Sequence, residues 1–224
     1  DDDNIPQIEL SEEDTTRSAQ ADGILEGSQH VVESAYNFVE NPFTKEASFN
    51  FDLFKKHIAA AQRIMDDIID LELEKIDNIL LKIEEDPELD EVKATERNLW
   101  INIKTKAQEG RRTGIGITAE GDMLAALGIQ YGSEAGNAFS LEVHKTIALE
   151  AYSGSVHLAK ARGAFSIFDA EREKNNPFIQ RLKEADSKLY YEMLEYGRRN
   201  IALLTIAPTG TTSLMTQTTS GIEP

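Results

Sequence analysis

RRNIALLTIAPTGTTS, residues 198–213, decides how this chain is read. Two arginines, Arg198 and Arg199, lead into an unbroken apolar segment at residues 201–207, too short for a surface helix and suited to a buried strand. Pro208 ends it. Thr209, Gly210, Thr211, Thr212 and Ser213 follow, residue types that let a backbone turn sharply and cap a new helix. The first N–H groups of a helix have no partner within it, and the helix dipole adds partial positive charge. Strand, polar turn and helix start together therefore form a seat for phosphate. No lysine follows the glycine, which excludes a Walker A loop. A serine or threonine nucleophile has neither a GxSxG elbow nor an evident base beside it. From these residues alone, a capped strand-to-helix turn without a ligand is the plainer reading.

Working outward, the chain has 224 residues, 40% of them hydrophobic, enough for one domain with a real core. No apolar run approaches the ~18 residues that span a bilayer, and neither a secretory nor a transit segment opens the chain. These features predict a soluble, cytoplasmic protein that does not bind membranes. Asp1 has no methionine before it, and Pro224 closes a word that reads as unfinished, so both ends read as cut from something longer. The net charge of −17, from 40 acidic and 23 basic residues, opposes binding to nucleic acid or anionic lipid. The acids concentrate in residues 65–96. Asp66, Asp67, Asp70, Glu72 and Glu74 read there as a solvated helix face, with Arg63 and Lys75 in reach for surface pairs. His30, His57, His144 and His157 form no HExxH or Glu-x-x-His spacing, so no metal site is assigned. There is no cysteine.

Residues 1–40 are polar, acidic and weakly periodic, and Asn41-Pro42 marks a boundary. From Phe51 the pattern turns helical: Phe54, Ile58, Ala61, Met65, Ile68 and Leu71 form one stripe. A second helix carries Leu73, Ile76, Leu80 and Ile83. A third, at about residues 88–108, should bury Leu99, Trp100 and Ile103 and stop at Gly110. Residues 111–118 read as a glycine-rich strand or loop, with Gly114 and Gly116 as close-packing positions and Arg111 and Arg112 as ion-pair partners. Helices follow at 119–127, 133–161, from Pro177, and at 189–196.

In its wider setting the opening turn, IALLTIAPTGTTSLMTQTTSGIEP (residues 201–224), resembles the barrel of the adenosylcobalamin-dependent (class II) ribonucleotide reductase catalytic subunit. Further similar words occur in the same order: NPFTKEASF (41–49), MDDIIDLELEKI (65–76), GRRTGIGITAEGDMLAALG (110–128), KTIALEAY (145–152) and AKARGAFSIFDAE (159–171). The resemblance implies an α/β fold, a helix-rich portion of the reductase α/β barrel. It divides the chain into a divergent, flexible segment at 1–40 and a partial barrel domain at 41–224. It implies ribonucleotide-to-deoxyribonucleotide reduction, adenosylcobalamin as cofactor, and as partners a ribonucleotide, a second copy or the remainder of the reductase. By resemblance, Thr209, Gly210, Thr211, Thr212 and Ser213 hold the substrate phosphate.

Members of that family act through a cysteine thiyl radical and a reducing cysteine pair, chemistry that serine and threonine cannot supply. Residues 7–17 resemble a degraded form of the region that carries these thiols. In that register Ile5 falls on the radical cysteine, Gln7 on the neighbouring glutamate and Thr16 on a reducing cysteine. No catalytic residue is therefore assigned, and the chain alone is expected to be inactive. Two alternatives stand beside this reading. One is a non-enzymatic helical binding or oligomerisation protein derived from the reductase fold. The other is a phosphotransferase, which lacks a lysine or a paired-acid Mg²⁺ set here. Three expectations follow: residues 201–207 form a nearly inaccessible strand, a helix starts within 209–213, and Gly210→Val damages phosphate binding through backbone strain more than Thr216→Ala does.

Overall fold

The structure, a computed structural model, describes residues 35–224. Most of the divergent segment expected at 1–40, with Ile5, Gln7 and Thr16, lies outside the described residues. A short 3₁₀ turn, Ala35–Phe38, leads into an antiparallel pair, β1 (Val39–Glu40) and β2 (Ser48–Phe49), in which Val39 faces Phe49.

Helix α1 spans Phe51–Glu85, with Asn50 as N-cap accepting from the Leu53 amide at 2.9 Å. The two helices expected here are one. No glycine or proline interrupts the run, and Glu72 to Lys75 are good helix formers. Asp86, extended at ψ 135° before Pro87, ends it. Helix α2 (Asp90–Gly110) returns alongside α1, joined to it by Lys104–Asp77 and Arg97–Glu84 ion pairs and by the Lys93 ammonium donating to Glu84 O at 2.7 Å. Its left-handed C-cap is Arg111 (φ 44°), not Gly110. Glycine at 110 serves packing instead, because a Cβ there would meet Ile201 at 3.1 Å. The expected burial of α2 is also corrected: Leu99 is 57% exposed, and Trp100 and Ile103 are half-buried.

Helix α3 (Glu120–Ala126) follows, and then α4 (Glu134–Arg162), capped by Ser133 and ended by Gly163 at φ 85°. Helices α5 (Ala170–Glu173), α6 (Pro177–Ala185), α7 (Ser187–Tyr196) and α8 (Gly210–Thr216) complete the order. The core gathers around α4: Val143, Ile147, Ala151 and Val156 meet Ile58 of α1, Met123 of α3, Leu182 of α6 and Met193 of α7. Gly154 brings α4 close to α1, since a Cβ there would already touch the Gln62 side chain at 3.4 Å.

Residues 113–117 and 201–206 run parallel. Ile115 N–H donates to Leu203 O at 2.7 Å, Thr205 N–H to Ile115 O at 3.0 Å, and the bridge pairs Ile115 with Leu204. The helix-rich character expected is present, while the strand part of the α/β expectation is reduced to this short parallel pairing. The described residues are mostly helical with little sheet, and no closed barrel forms among them. Within 201–207 only Leu203 is buried, while Ile206 is 68% exposed, because among the described residues no strand lies on its far side. The expected helix start is present at Gly210.

Candidate functional site

Helix α8 begins at Gly210 after Thr209, which stands in the left-handed region at φ 41° and makes no side-chain cap bond. The Thr209 hydroxyl is used elsewhere. It accepts from Gly221 N–H at 2.7 Å and lies 3.2 Å from the Thr118 hydroxyl. Ser213 is buried, its amide donating to Thr209 O at 2.8 Å and its hydroxyl to Gly210 O at 2.8 Å. Thr209 and Ser213 thus fix the turn from inside. Gly210 and Thr211 are exposed, and the hydroxyls of Thr211 and Thr212 bond to no described residue. The structure brings all five expected residues into one turn: Thr209 and Ser213 hold it, Gly210 and Thr211 are exposed, and Thr212 is half-buried. Gly210 is not strained, since a Cβ there meets nothing within 4 Å and its φ is ordinary. The reason expected for damage by Gly210→Val therefore fails.

A second segment clasps this turn, which the sequence reading left unassigned. Ala119 (φ 62°) donates to Thr219 O at 3.1 Å, as does the Thr118 hydroxyl at 3.1 Å, and Thr219 N–H donates to the Asp122 carboxylate at 2.7 Å. Gly121 lets Pro224 approach, because a Cβ there would lie 2.6 Å from its Cα. The words GITAEGDM and TTSGIEP are therefore one structural unit. Beside it lies a cavity of about 320 Å³ lined by Glu120, Leu124, Tyr131, Asn137, His144 and Ile206. Buried Glu120 pairs with His144 Nε2 at 2.8 Å. Burial works against its ionisation, but the His144 and Ser140 hydrogen bonds outweigh that and hold its carboxyl below the ordinary value.

Residues 198–200 are placed by a polar knot around Asp66. Its carboxylate, wholly buried, accepts from Arg111 Nε at 2.8 Å, Arg162 at 3.2 Å, Arg199 Nε at 3.2 Å and Asn200 Nδ2 at 2.9 Å. Asn200 in turn accepts from Gln62 at 2.9 Å and from the Ser155 hydroxyl at 2.9 Å. The expectation that Asp66 belongs to a solvated face is overturned. Arg63–Asp67, at 3.8 Å, is the surface pair expected of that face, and Arg111 is an ion-pair partner of Asp66 and Asp70. Asp66, Asp67 and Asp70 lie close enough to chelate an ion, but guanidinium groups occupy their oxygens. Burial disfavours the Asp66 carboxylate, yet the Arg111 hydrogen bond and charge, backed by Asn200 and Arg199, carry its pKa below the ordinary 3.8. Arg198 is enclosed by Tyr152, Phe165 and Phe168 and forks onto Glu173. No helix among the described residues is long and apolar enough to cross a membrane.

Comparison with known proteins places this geometry in context. The family model described as ribonucleotide reductase, barrel domain, matches residues 32–224. The vitamin B12-dependent ribonucleoside-diphosphate reductase of Mycobacterium tuberculosis (strain ATCC 25618 / H37Rv) is 33% identical over 137 residues, which are 61% of this chain and 17% of that protein. The ribonucleoside-diphosphate reductase subunit alpha of Treponema pallidum is 29% identical over 117 residues, 51% of this chain and 14% of the relative. That of Helicobacter pylori (strain 26695) is 28% identical over 145 residues, covering 57% and 18%. The chain thus spans less than a fifth of the length of each of these relatives.

Proposed function

This chain belongs to the ribonucleotide reductase barrel-domain family, and we propose that it is a segment, or a divergent copy, of the catalytic barrel of an adenosylcobalamin-dependent reductase. In this reading Thr209, Gly210, Thr211, Thr212 and Ser213 hold the phosphate of a ribonucleotide. The observation that carries it is the division of labour in the turn: Thr209 and Ser213 are tied inward, while Gly210, Thr211 and Thr212 present the start of a helix that no side chain caps. Such a start attracts an anion through oriented N–H groups. Each charge-assisted bond contributes roughly 1.5–3 kcal/mol, less where water competes. With a net charge of −17 opposing phosphate, the isolated chain binds nucleotide weakly.

Five of the cavities among the described residues are each too small to enclose adenosylcobalamin: they hold about 190 to 520 Å³ each, the scale of a small organic ligand rather than a corrin. The cofactor enters the proposal through the Mycobacterium relatives, whose names carry vitamin B12 dependence. Thiol chemistry is likewise assigned to a complete reductase, since these 224 residues contain no cysteine.

Titration with a nucleoside diphosphate, followed by amide chemical shifts, tests the seat. The amides of Gly210, Thr211 and Thr212 should move first. If they stay still while others move, the turn is only a helix start. In a separate assay, pure chain supplied with adenosylcobalamin and a dithiol should form no deoxyribonucleotide. Measurable product would overturn the division between this segment and the thiol-bearing part.

A further inference from the structure

Helix α4 brings three polar side chains to one buried carboxylate. Asn137, Ser140 and His144 recur at steps of three and four residues and so share a face of the helix. All three line the cavity of about 320 Å³ that Glu120 also lines. Glu120 is 4% exposed, and its carboxylate is bonded to His144 Nε2 at 2.8 Å and to the Ser140 hydroxyl. A buried carboxylate is costly unless a cation stands beside it. Among the described residues no lysine or arginine pairs with Glu120, and its ionic partner there, His144, carries charge only when protonated. The side-chain amide of Asn137 bonds to no described residue. The other walls are largely apolar: Leu124 is wholly buried, Ile222 is half-buried, and the exposed Ile206 and Tyr131 complete them.

We infer that this cavity is a binding site for a small organic cation, a primary ammonium on a compact apolar body. An ammonium presents three donors, and Glu120, Ser140 and Asn137 offer acceptors to the same space. A carboxylate has about four acceptor sites, so the bonds from His144 and Ser140 leave capacity for a further donor. The apolar walls suit an alkyl group. They disfavour a metal ion such as Ca²⁺ or Mg²⁺, which takes several oxygen ligands where Glu120 is the one carboxylate of the lining. An anionic ligand would meet Glu120 as a like charge, and the net charge of −17 favours the approach of cations instead. None of the residues 209–213 lines this cavity, so the site does not depend on the phosphate reading.

The test compares three probes with one body: cyclohexylammonium, cyclohexanol and cyclohexanecarboxylate. Each is titrated into the chain at constant ionic strength and followed by amide shifts. The ammonium should give saturable shifts at Gly132, Gly136 and Asn137, with an affinity about tenfold or more above that of the alcohol. The carboxylate should give none there. Glu120→Gln keeps the shape and removes the charge, and should bring the ammonium down to the level of the alcohol. Asn137→Leu, at an exposed position, should leave the fold intact and weaken the ammonium severalfold. Four results overturn the inference: no saturable shift at these amides, equal affinity for ammonium and alcohol, shifts spread over the exposed acids of α1 and α2 instead, or unchanged ammonium binding in a folded Glu120→Gln chain. Equal affinity would mean that a protonated His144 already neutralises Glu120. The comparison of probes in the unaltered chain decides the matter even if Glu120→Gln does not fold.

Discussion

Replacing Asp66 by alanine removes one carboxylate and leaves Arg111 as a cation only 5% exposed, with Arg162 and Arg199 converging on the same vacated space. Breaking a buried ion pair from one side costs about 3–5 kcal/mol when the remaining charge has no other partner, and the lower end of that range applies here because Arg111 keeps Asp70 at 2.8 Å and Arg162 keeps Asp67 at 2.6 Å. The lost Asn200 bond lies in the same network, so its contribution is contained in that figure rather than added to it. With a urea m-value of about 2–3 kcal/mol/M, the midpoint should fall by about 1–2 M at unchanged slope. Asp66→Asn keeps the shape and part of the hydrogen bonding and should fall between. The pH dependence gives an independent reading. A carboxylate whose folded pKa lies below its unfolded value stabilises the fold above the unfolded value and loses that contribution as pH falls through the folded one. Asp66 is shifted in that direction. Stability should therefore be level above about pH 5 and decline below about pH 4, and Asp66→Asn should lack its share of that decline. A midpoint shift below about 0.3 M for Asp66→Ala, or an identical acid limb in Asp66→Asn, would refute the argument.

Three further outcomes are expected. Gly116→Ala should destabilise by about 1–3 kcal/mol in urea melts, because its Cβ would lie 2.7 Å from Thr205 O, a backbone atom with little room to yield. Arg198→Lys should cost about 2–3 kcal/mol by the same measurement, since an ammonium cannot reproduce the fork onto Glu173 while also reaching Asn200 O and Ile201 O. Gly210→Ala should be neutral or raise stability by up to about 1 kcal/mol in thermal melts, because the position is open and its backbone conformation suits any residue.

The helices were legible because their apolar periodicity is a local property: the starts expected at Phe51 and near Ser133 are kept by the structure. The helix start after Pro208 was legible for the same reason. Asp66 was not, because its partners at 111, 162 and 199 become neighbours only through folding. A signal was nevertheless present. Phe54, Ile58, Gln62, Asp66 and Ile69 recur at three- and four-residue steps, so two polar side chains stand on the buried stripe of α1. Polar residues in register with an apolar stripe indicate a buried network, and counting acids along the helix concealed it. The exposure of Ile206 was equally beyond local reading, since an apolar run reports a preference for burial and not whether a covering strand is present.

The long pairing of α1 with α2 carries a thermal consequence. Helix α1 has 35 residues and at 1.5 Å per residue extends on the order of 50 Å. Ile69, Ile76 and Ile83 are buried, yet they stand apart from the cluster that α4 organises. Asp66 fastens the inner half of α1 to three other stretches of chain, whereas the outer half is held by an isoleucine seam and by surface ion pairs of small individual worth. The far end, around Asp86 and Pro87, can therefore fray as a separate cooperative unit while everything inward of Asp66 stays closed. Heating should release the two parts in sequence, giving this chain two melting events where a one-core domain would have one.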